Sequence, residues 1–162
     1  MATSPKPGID IIQAASPEAV EQARELFLEY ADSLDFNLSF QHFDEELKNL
    51  PGAYAPPSGR LLLARHQGQA VGCVALRPLD RQVCEMKRLY VCSAYRGKGV
   101  GRVLVDRIIG EARTIGYERM RLDTIESSMQ DAIALYRRRG FREIAPYRSN
   151  PIAGALYLEL LL

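Results

Sequence analysis

A glycine-rich turn between a predicted strand and a predicted helix is the segment whose residue types suggest chemistry. Gly97, Gly99 and Gly101 follow the apolar residues 83–92 and precede a helical pattern. Glycine lets a backbone approach a ligand closely, and the free N–H groups at a helix N-terminus carry a partial positive charge. The segment therefore predicts an anion site that a pyrophosphate fits.

Two common nucleotide-binding patterns do not fit this turn. A P-loop needs Ser or Thr after Gly-Lys, but Lys98 is followed by Gly99, which has no hydroxyl for a magnesium ion. The dinucleotide fingerprint Gly-x-Gly-x-x-Gly, begun at Gly97, requires a glycine where this chain has Arg102. The pattern that remains is Arg96-x-x-Gly99-x-Gly101.

This pattern resembles the pyrophosphate loop of the GNAT superfamily of acyl-CoA-dependent N-acyltransferases, which is written Gln/Arg-x-x-Gly-x-Gly/Ala. Three further matches follow the family's order: the strand 85–91, the run 132–136, and Gly140-Phe141 after that helix. The resemblance covers residues 60–145, and the N-terminal helices by their order alone. It implies an N-acetyltransferase that uses acetyl-CoA as cosubstrate and no metal.

The resemblance also implies how the cofactor binds. Main-chain amides of the turn would hold the pyrophosphate of coenzyme A, and the preceding strand would pair with the pantetheine arm as an added strand does. The residues so assigned are Leu89, Tyr90, Val91, Arg96, Gly97, Lys98, Gly99, Val100, Gly101 and Arg102. Arg96, Lys98 and Arg102 would add positive charge, and the amide of Val91 would support the oxyanion.

Two residues match positions at which the family does acid–base chemistry. Tyr136 stands where members carry the tyrosine thought to protonate the sulfur of coenzyme A, which implies a general acid; the alternative is a core aromatic residue on an amphipathic helix. Glu85 is similar to the glutamate that serves as general base in the histone acetyltransferase branch. Burial in its apolar strand would raise its pKa and suit that role, and the alternative is a surface glutamate paired with Lys87 or Arg88.

The chain departs from the family's pattern at Met129. Members often have an asparagine at this position, which contacts the cofactor arm. Gln130 and Ser128 are the neighbours that could replace that contact.

The resemblance places the acceptor between residues 26–57 and 145–155. The side chains in these segments that could hold an ammonium are Asp32, Asp35, Asp44 and Glu45, and those on the central strands that could hold a carboxylate are Arg77, Lys87 and Arg88. One hypothesis is therefore a small amine that bears an acidic group, such as an amino-acid-like metabolite. We expect direct attack by a primary amine of a small metabolite. The alternatives are a protein or peptide amine, and a catalytically silent acyl-CoA-binding sensor or regulatory module.

The elements that position these residues are predicted from hydrophobic periodicity and breakers. We expect a strand at residues 8–14, helices at 17–33 and 41–50, and a loop at 51–59. An antiparallel meander follows at 60–65, 70–79 and 83–92. Beyond the glycine-rich turn come a helix ending at Gly116, a strand at 118–124, a helix at 128–139, and strands from Phe141 and at 156–162. This order predicts an α+β fold with three layers, α/β/α. We expect one mixed sheet of about seven strands, formed by an antiparallel meander and a parallel crossover, with helices on both faces.

Composition bounds the class of protein. The chain has 162 residues, 47% hydrophobic and 25% charged, with a net charge of +1. This length fits a single domain, 1–162, and the balanced charge disfavours a nucleic-acid partner.

No apolar run is long enough for a membrane span and the start lacks a signal-peptide core, which predicts a cytoplasmic protein. Three cysteines without Cys-x-x-Cys spacing predict neither disulfides nor a metal site. The apolar residues 156–162 either complete the core or pair with a second subunit in a homodimer.

Overall fold

The computed structural model describes residues 8–127 and 129–162, apart from the side chain of Phe40. The strands are β1 (Ile9–Gln13), β2 (Arg60–His66), β3 (Gln69–Pro78), β4 (Val83–Val91), β5 (Arg119–Ile125), β6 (Arg142–Glu143) and β7 (Ala155–Leu161). The helices are α1 (Pro17–Ser33), α2 (Phe43–Lys48), α3 (Val100–Ile115) and α4 (Gln130–Arg138). Within the described residues no helix combines the length and hydropathy that a membrane crossing needs.

The strands form one seven-stranded mixed sheet in the order β1-β2-β3-β4-β5-β7-β6. Strands β1 to β4 are an antiparallel meander, and β4 and β5 are the parallel pair joined by α3. This confirms the predicted α+β mixed sheet with its parallel crossover. Strands β5, β7 and β6 extend the sheet in antiparallel pairing.

The two faces of the sheet are covered by different helices. Helices α3 and α4 pack on one face, where Leu104, Ile108 and Met120 are fully buried. Helix α1 packs on the other face, where Phe27 and Leu61 have no exposed surface. Burial of each such side chain contributes about 1.5–3 kcal/mol, which makes these two cores the main source of stability.

A row of alternating charges crosses the α1 face of the sheet. The register places Arg77 beside Glu85, Glu85 beside Arg121, and Arg121 beside Glu159. Opposite charges on directly neighbouring strands attract, and the Arg77–Glu85 and Arg121–Glu159 pairs lie at 2.9 and 2.8 Å. One part of this face is therefore polar, whereas the face under α3 and α4 is apolar.

Three local predictions differ from the structure. The single helix expected at residues 41–50 is a 3₁₀ turn, Ser39–Gln41, followed by α2, because His42 between them has a left-handed backbone with φ 55°. The strand expected from Phe141 is the two-residue β6. Helix α4 begins at Gln130 rather than at 128. The assignments made for Ser128 and for residues 1–7 lie outside the described residues.

Candidate active site

A gap in the sheet creates the site. Parallel pairing between β4 and β5 is confined to Val83–Arg119, Cys84–Met120 and Glu85–Arg121. From Met86 to Val91 one edge of β4 is paired with β3, and the other edge faces the gap. Because the strands separate at their carboxyl ends, the gap connects the α1 face with the α3–α4 face.

A bulge in β4 lies at this gap. Ala75 of β3 pairs with Lys87, and Cys73, two residues earlier on β3, pairs with Tyr90, three residues later on β4. The strand β4 therefore has one residue more than β3 between these two pairs. Arg88 accommodates it with a left-handed backbone, φ 63°. A bulge bends its strand and changes the direction of the side chains. Because of this change, Lys87 and Arg88 both donate hydrogen bonds to Gln41, which lies before α2.

The gap opens into a cavity of about 600 Å³. Its walls come from β4, β5, the glycine-rich turn, the start of α4 and the end of α1. The lining residues that carry polar or ionisable side chains are Tyr30, Ser33, Lys87, Arg88, Tyr90, Tyr95, Arg96, Asp123, Thr124, Ser127, Gln130, Asp131 and Tyr136. One cavity therefore reaches both the anion-binding turn and a set of charged groups on the α1 face.

The glycine-rich turn presents main-chain donors to one end of this cavity. Gly97 and Gly99 have positive φ angles of 75° and 84°, which L side chains rarely adopt. Gly99 is the N-cap of α3, and no side chain of a described residue caps the helix, so its first N–H groups are available to a ligand. The geometry is that of an anion site at a helix N-terminus.

The basic side chains near the turn take different positions. Arg96 lines the cavity, donates from Nε to the Val91 carbonyl at 3.0 Å and lies 5.7 Å from the centre of the Tyr90 ring. Lys98 lies over the ring of Tyr95 instead, and Arg102 is exposed. Neither Lys98 nor Arg102 forms part of the cavity wall. The predicted cofactor residues that do line it are Leu89, Tyr90, Val91, Arg96, Gly97, Gly99, Val100 and Gly101.

Tyr136 lies in the cavity wall opposite α1. It is only 7% exposed, and its ring packs against Phe141 with centroids 5.6 Å apart. Burial raises the pKa of its hydroxyl above the ordinary value, with a smaller contribution from Tyr30. The phenol therefore stays protonated at neutral pH.

Glu85 is surrounded by cations and has no exposed surface. One carboxylate oxygen accepts from Arg77 at 2.9 Å, and the other accepts from Arg148 and, at 2.6 Å, from the Tyr147 hydroxyl. Burial alone would raise its pKa, but Lys87, Arg148 and Arg77 outweigh burial and lower it. The expectation of a raised Glu85 pKa is wrong, and so is the alternative of a surface glutamate.

Lys87 and Arg88 are both buried but differ in their partners. The Arg88 guanidinium donates to both carboxylate oxygens of Glu46 at 2.9 Å and to Gln41 at 2.8 Å, over the ring of Phe43. The Lys87 ammonium donates to Gln41 at 3.1 Å, and its ion-pair partner Glu85 lies 3.9 Å away. Burial and the neighbouring Arg88 lower the pKa of Lys87 to about 7, against the opposing charge of Glu85.

Asp123 of β5 is the carboxylate at the α1 side of the gap. It lines the cavity and accepts a hydrogen bond from the Asn150 side chain at 3.1 Å. Asn150 belongs to the segment 144–154 before β7, which also supplies Tyr147 and Arg148 to Glu85. That segment therefore joins Asp123 and Glu85 in one network beside the cavity.

Comparisons with known proteins identify this arrangement. The Acetyltransferase (GNAT) family matches residues 19–141, which include the parallel pair, the glycine-rich turn and Tyr136. The chain belongs to the GNAT acetyltransferase family.

Relatives and solved structures agree with this assignment. An uncharacterised N-acetyltransferase of Schizosaccharomyces pombe is 39% identical over 154 residues, which cover 94% of each chain. An acetyltransferase from Streptococcus agalactiae has the same fold, with a TM-score of 0.77 at 24% identity over 97% of this chain and 100% of that one. A GNAT acetyltransferase from Elizabethkingia anophelis, solved with acetyl-CoA bound, gives a TM-score of 0.66 at 23% identity over 97% and 100% of the two chains.

As a GNAT enzyme, the chain is an acyl-CoA-dependent N-acetyltransferase that acts on an amine acceptor. The cavity fits the cosubstrate because uncapped helix amides at one end suit a pyrophosphate and the free edge of β4 suits an amide-containing arm. Within the described residues there is no cluster of three or more His, Cys, Asp or Glu side chains that could hold a metal ion.

The position of the family's frequent asparagine is occupied differently in this GNAT enzyme. Met129 lines the cavity, and its sulfur accepts from the Thr124 hydroxyl at 3.1 Å. Gln130 also lines the cavity, whereas Ser128 lies outside the described residues. Gln130 is therefore the described neighbour with an amide that can meet the cofactor arm.

Sequence reasoning missed Asp123 and selected other carboxylates for the acceptor. Asp32, Asp35, Asp44 and Glu45 are all exposed, and none lines the cavity. The available signal was alternation in β5: Met120 and Leu122 face the apolar core, so Arg121 and Asp123 face the other side. Asp123 also lies toward the carboxyl end of the strand parallel to β4.

Proposed function

We propose that this GNAT enzyme transfers the acetyl group of acetyl-CoA directly to a primary amine of a small metabolite. The observation that carries the proposal is the position of Tyr136. Tyr136 lines a cavity that also reaches the glycine-rich turn and Asp123, and its hydroxyl has no hydrogen-bond partner among the described residues. A protonated phenol at this place is available to the sulfur that leaves.

The chemistry needs three groups. The acceptor ammonium first loses a proton to water, and the neutral nitrogen attacks the thioester carbonyl to form the C–N bond. The C–S bond then breaks, the thiolate takes a proton from the Tyr136 hydroxyl, and the proton that the nitrogen gives up restores that hydroxyl through water. Cys92 N–H bonds to Val71 across β3, so the N–H of Val91, the preceding residue, points to the gap. It is the donor that we assign to the oxyanion.

We assign the ammonium of the incoming acceptor to Asp123 rather than to Glu85. Asp123 lines the cavity, whereas Glu85 lies outside its wall and its carboxylate is occupied by Arg77, Arg148 and Tyr147. A lowered pKa makes Glu85 a weak proton acceptor. Glu85 is therefore a positioning residue that fixes the segment 144–154 beside the acceptor, in place of the general base inferred from sequence.

The test is Tyr136→Phe in an assay that measures release of the coenzyme A thiol with a panel of primary amines. We expect kcat to fall at least about 100-fold, the usual contribution of a positioned acid, with acetyl-CoA affinity unchanged by calorimetry. Phenylalanine keeps the packing on Phe141 and removes only the hydroxyl.

Tyr117→Phe is the matched control. Its hydroxyl donates to the Ser58 carbonyl at 2.7 Å, and it does not line the cavity. This variant should lose about 1 kcal/mol of stability and keep its rate. An unchanged kcat in Tyr136→Phe contradicts the assigned acid, and cofactor binding without turnover of any amine contradicts the proposed function.

A further inference from the structure

Beside the acceptor side of the cavity, three cations share one carboxylate. Arg77 from β3, Lys87 from β4 and Arg148 from the segment 144–154 all lie within ion-pair distance of the single carboxylate of Glu85. Two of them, Arg77 and Arg148, approach closely, and Lys87 remains at 3.9 Å. Glu85 cannot neutralise all three cations.

Lys87 is the member of this group that lines the cavity. Its side chain is 4% exposed, so water cannot compensate its charge as it does for a surface lysine. Its one hydrogen bond to a described residue goes to Gln41, a neutral amide, at 3.1 Å. A buried ammonium with no close anion is unfavourable unless a ligand supplies one.

The other two cations in the described cavity wall differ from Lys87 in their partners or in their place. Arg88 has a bidentate pair with Glu46 and a bond to Gln41. Arg96 lies at the cofactor end, where it bonds to the Val91 carbonyl. At the acceptor end of the described cavity wall, Lys87 is therefore the cation whose charge lacks an anion at hydrogen-bond distance.

We propose that the acceptor carries a carboxylate in addition to its amine, and that Lys87 binds this carboxylate. The inference rests on the proposed function and narrows its substrate class to amino carboxylates. Asp123 from β5 receives the ammonium end of the acceptor, and Lys87 from β4 receives the acidic end across the gap. The positive charges of Arg77 and Arg148, which lie on the other side of Glu85, also favour a negatively charged ligand.

Paired substrates test this inference. Thiol release is measured with amino carboxylates whose acid lies one to four carbons from the amine, each against its own carboxamide. We expect the wild type to prefer the carboxylate by about 10-fold or more in kcat/KM, as a charge-assisted hydrogen bond requires. In Lys87→Met the preference should fall to about one, mainly through KM.

The same pairs give a second readout in their pH dependence. A bound carboxylate holds Lys87 protonated, so KM for the carboxylate should rise above pH 7 as the free enzyme loses that proton. The groups that face this ammonium are Glu85 and Arg88 on its own strand, Arg77 on β3, Arg148 on the segment 144–154 and Gln41 before α2. In Lys87→Met, the ratio of KM for the carboxylate to KM for its carboxamide should no longer change with pH above 7.

Lys48→Met is the control, because Lys48 is an exposed lysine at the end of α2. It should keep the preference of the wild type. Equal rates for acids and amides in the wild type overturn the inference while leaving the proposed function intact. Equal losses for both substrates in Lys87→Met also overturn it, since Lys87 then acts in folding or in chemistry. Preference for peptides over all free amino carboxylates favours a peptide amine instead.

Discussion

The two ends of the cavity are built by different means. At the proposed cofactor end the wall consists of main-chain groups of the turn before α3, where two glycines have positive φ angles. At the proposed acceptor end it consists of residues such as Tyr30, Lys87 and Asp123, which come from α1, β4 and β5. A backbone site tolerates change in most side chains nearby, whereas a side-chain site depends on each residue and on the contacts that orient it.

The largest expected effect is a loss of stability when Glu85, which lies beside the acceptor end, is replaced. Glu85→Gln leaves Arg77, Lys87 and Arg148 without their common anion, and an uncompensated buried charge cluster costs about 3 kcal/mol of unfolding free energy. Denaturant unfolding at neutral pH measures the loss. Glu159→Gln is the control, because Arg119 and Arg121, its partners, are partly exposed, and it should cost about 1 kcal/mol or less.

If Glu85 were instead a base with little structural role, Glu85→Gln would keep its stability and lose only its rate. A stable but inactive variant would therefore restore the base inferred from sequence. A destabilised variant whose residual activity keeps the wild-type pH profile supports the positioning role.

The next effect tests the cofactor end. Gly99→Val places a β-branched residue at φ 84° and a Cβ within 3.4 Å of the Arg102 side chain. Strain of this kind costs about 1–3 kcal/mol, so acetyl-CoA should bind between about 5-fold and 150-fold more weakly in calorimetry. Gly110→Ala in the same helix is the control, since a Cβ there meets nothing within 4 Å. Unchanged affinity in Gly99→Val would refute the backbone site.

The smallest effect concerns pH. Lys87 has a folded pKa of about 7 against an ordinary 10.5, so between these values the unfolded chain binds a proton that the folded chain does not. Stability therefore rises with pH in this window, by about 1 kcal/mol per unit, and is flat below it. Unfolding at pH 7, 8 and 9 should show this slope in the wild type and lack it in Lys87→Met. Parallel slopes in both proteins would assign the dependence to other groups.

The same contrast explains how much of the molecule was predictable. The glycine-rich turn, the meander and the limits of α1 and α3 follow from local spacing, capping and breakers, and the predicted boundaries agree with the structure within about two residues. The division of residues 41–50 was not predictable because it depends on the left-handed backbone of His42. Similarly, β6 is short because it pairs only with β7 at the sheet edge.

The roles of buried charges were the least predictable. Glu85 in an apolar strand indicated burial, and it is buried. The direction of its pKa shift depends on Lys87 and also on Arg148, which lies 63 positions away in the chain, and on Arg77. Asp123 lies at the cavity because β4 and β5 separate beside it. The bulge at Arg88 determines where Lys87 lies.

The sequence alone determined the mixed sheet and the glycine-rich turn, because glycine spacing and hydrophobic periodicity act over a few neighbouring residues, and its motifs carried the resemblance to the family. Only the tertiary structure decided that Glu85 is held by cations and that Lys87 and Asp123 face one cavity. Electrostatic energies depend on distances and solvent exclusion between groups far apart in the chain, and those distances exist only once the chain has folded.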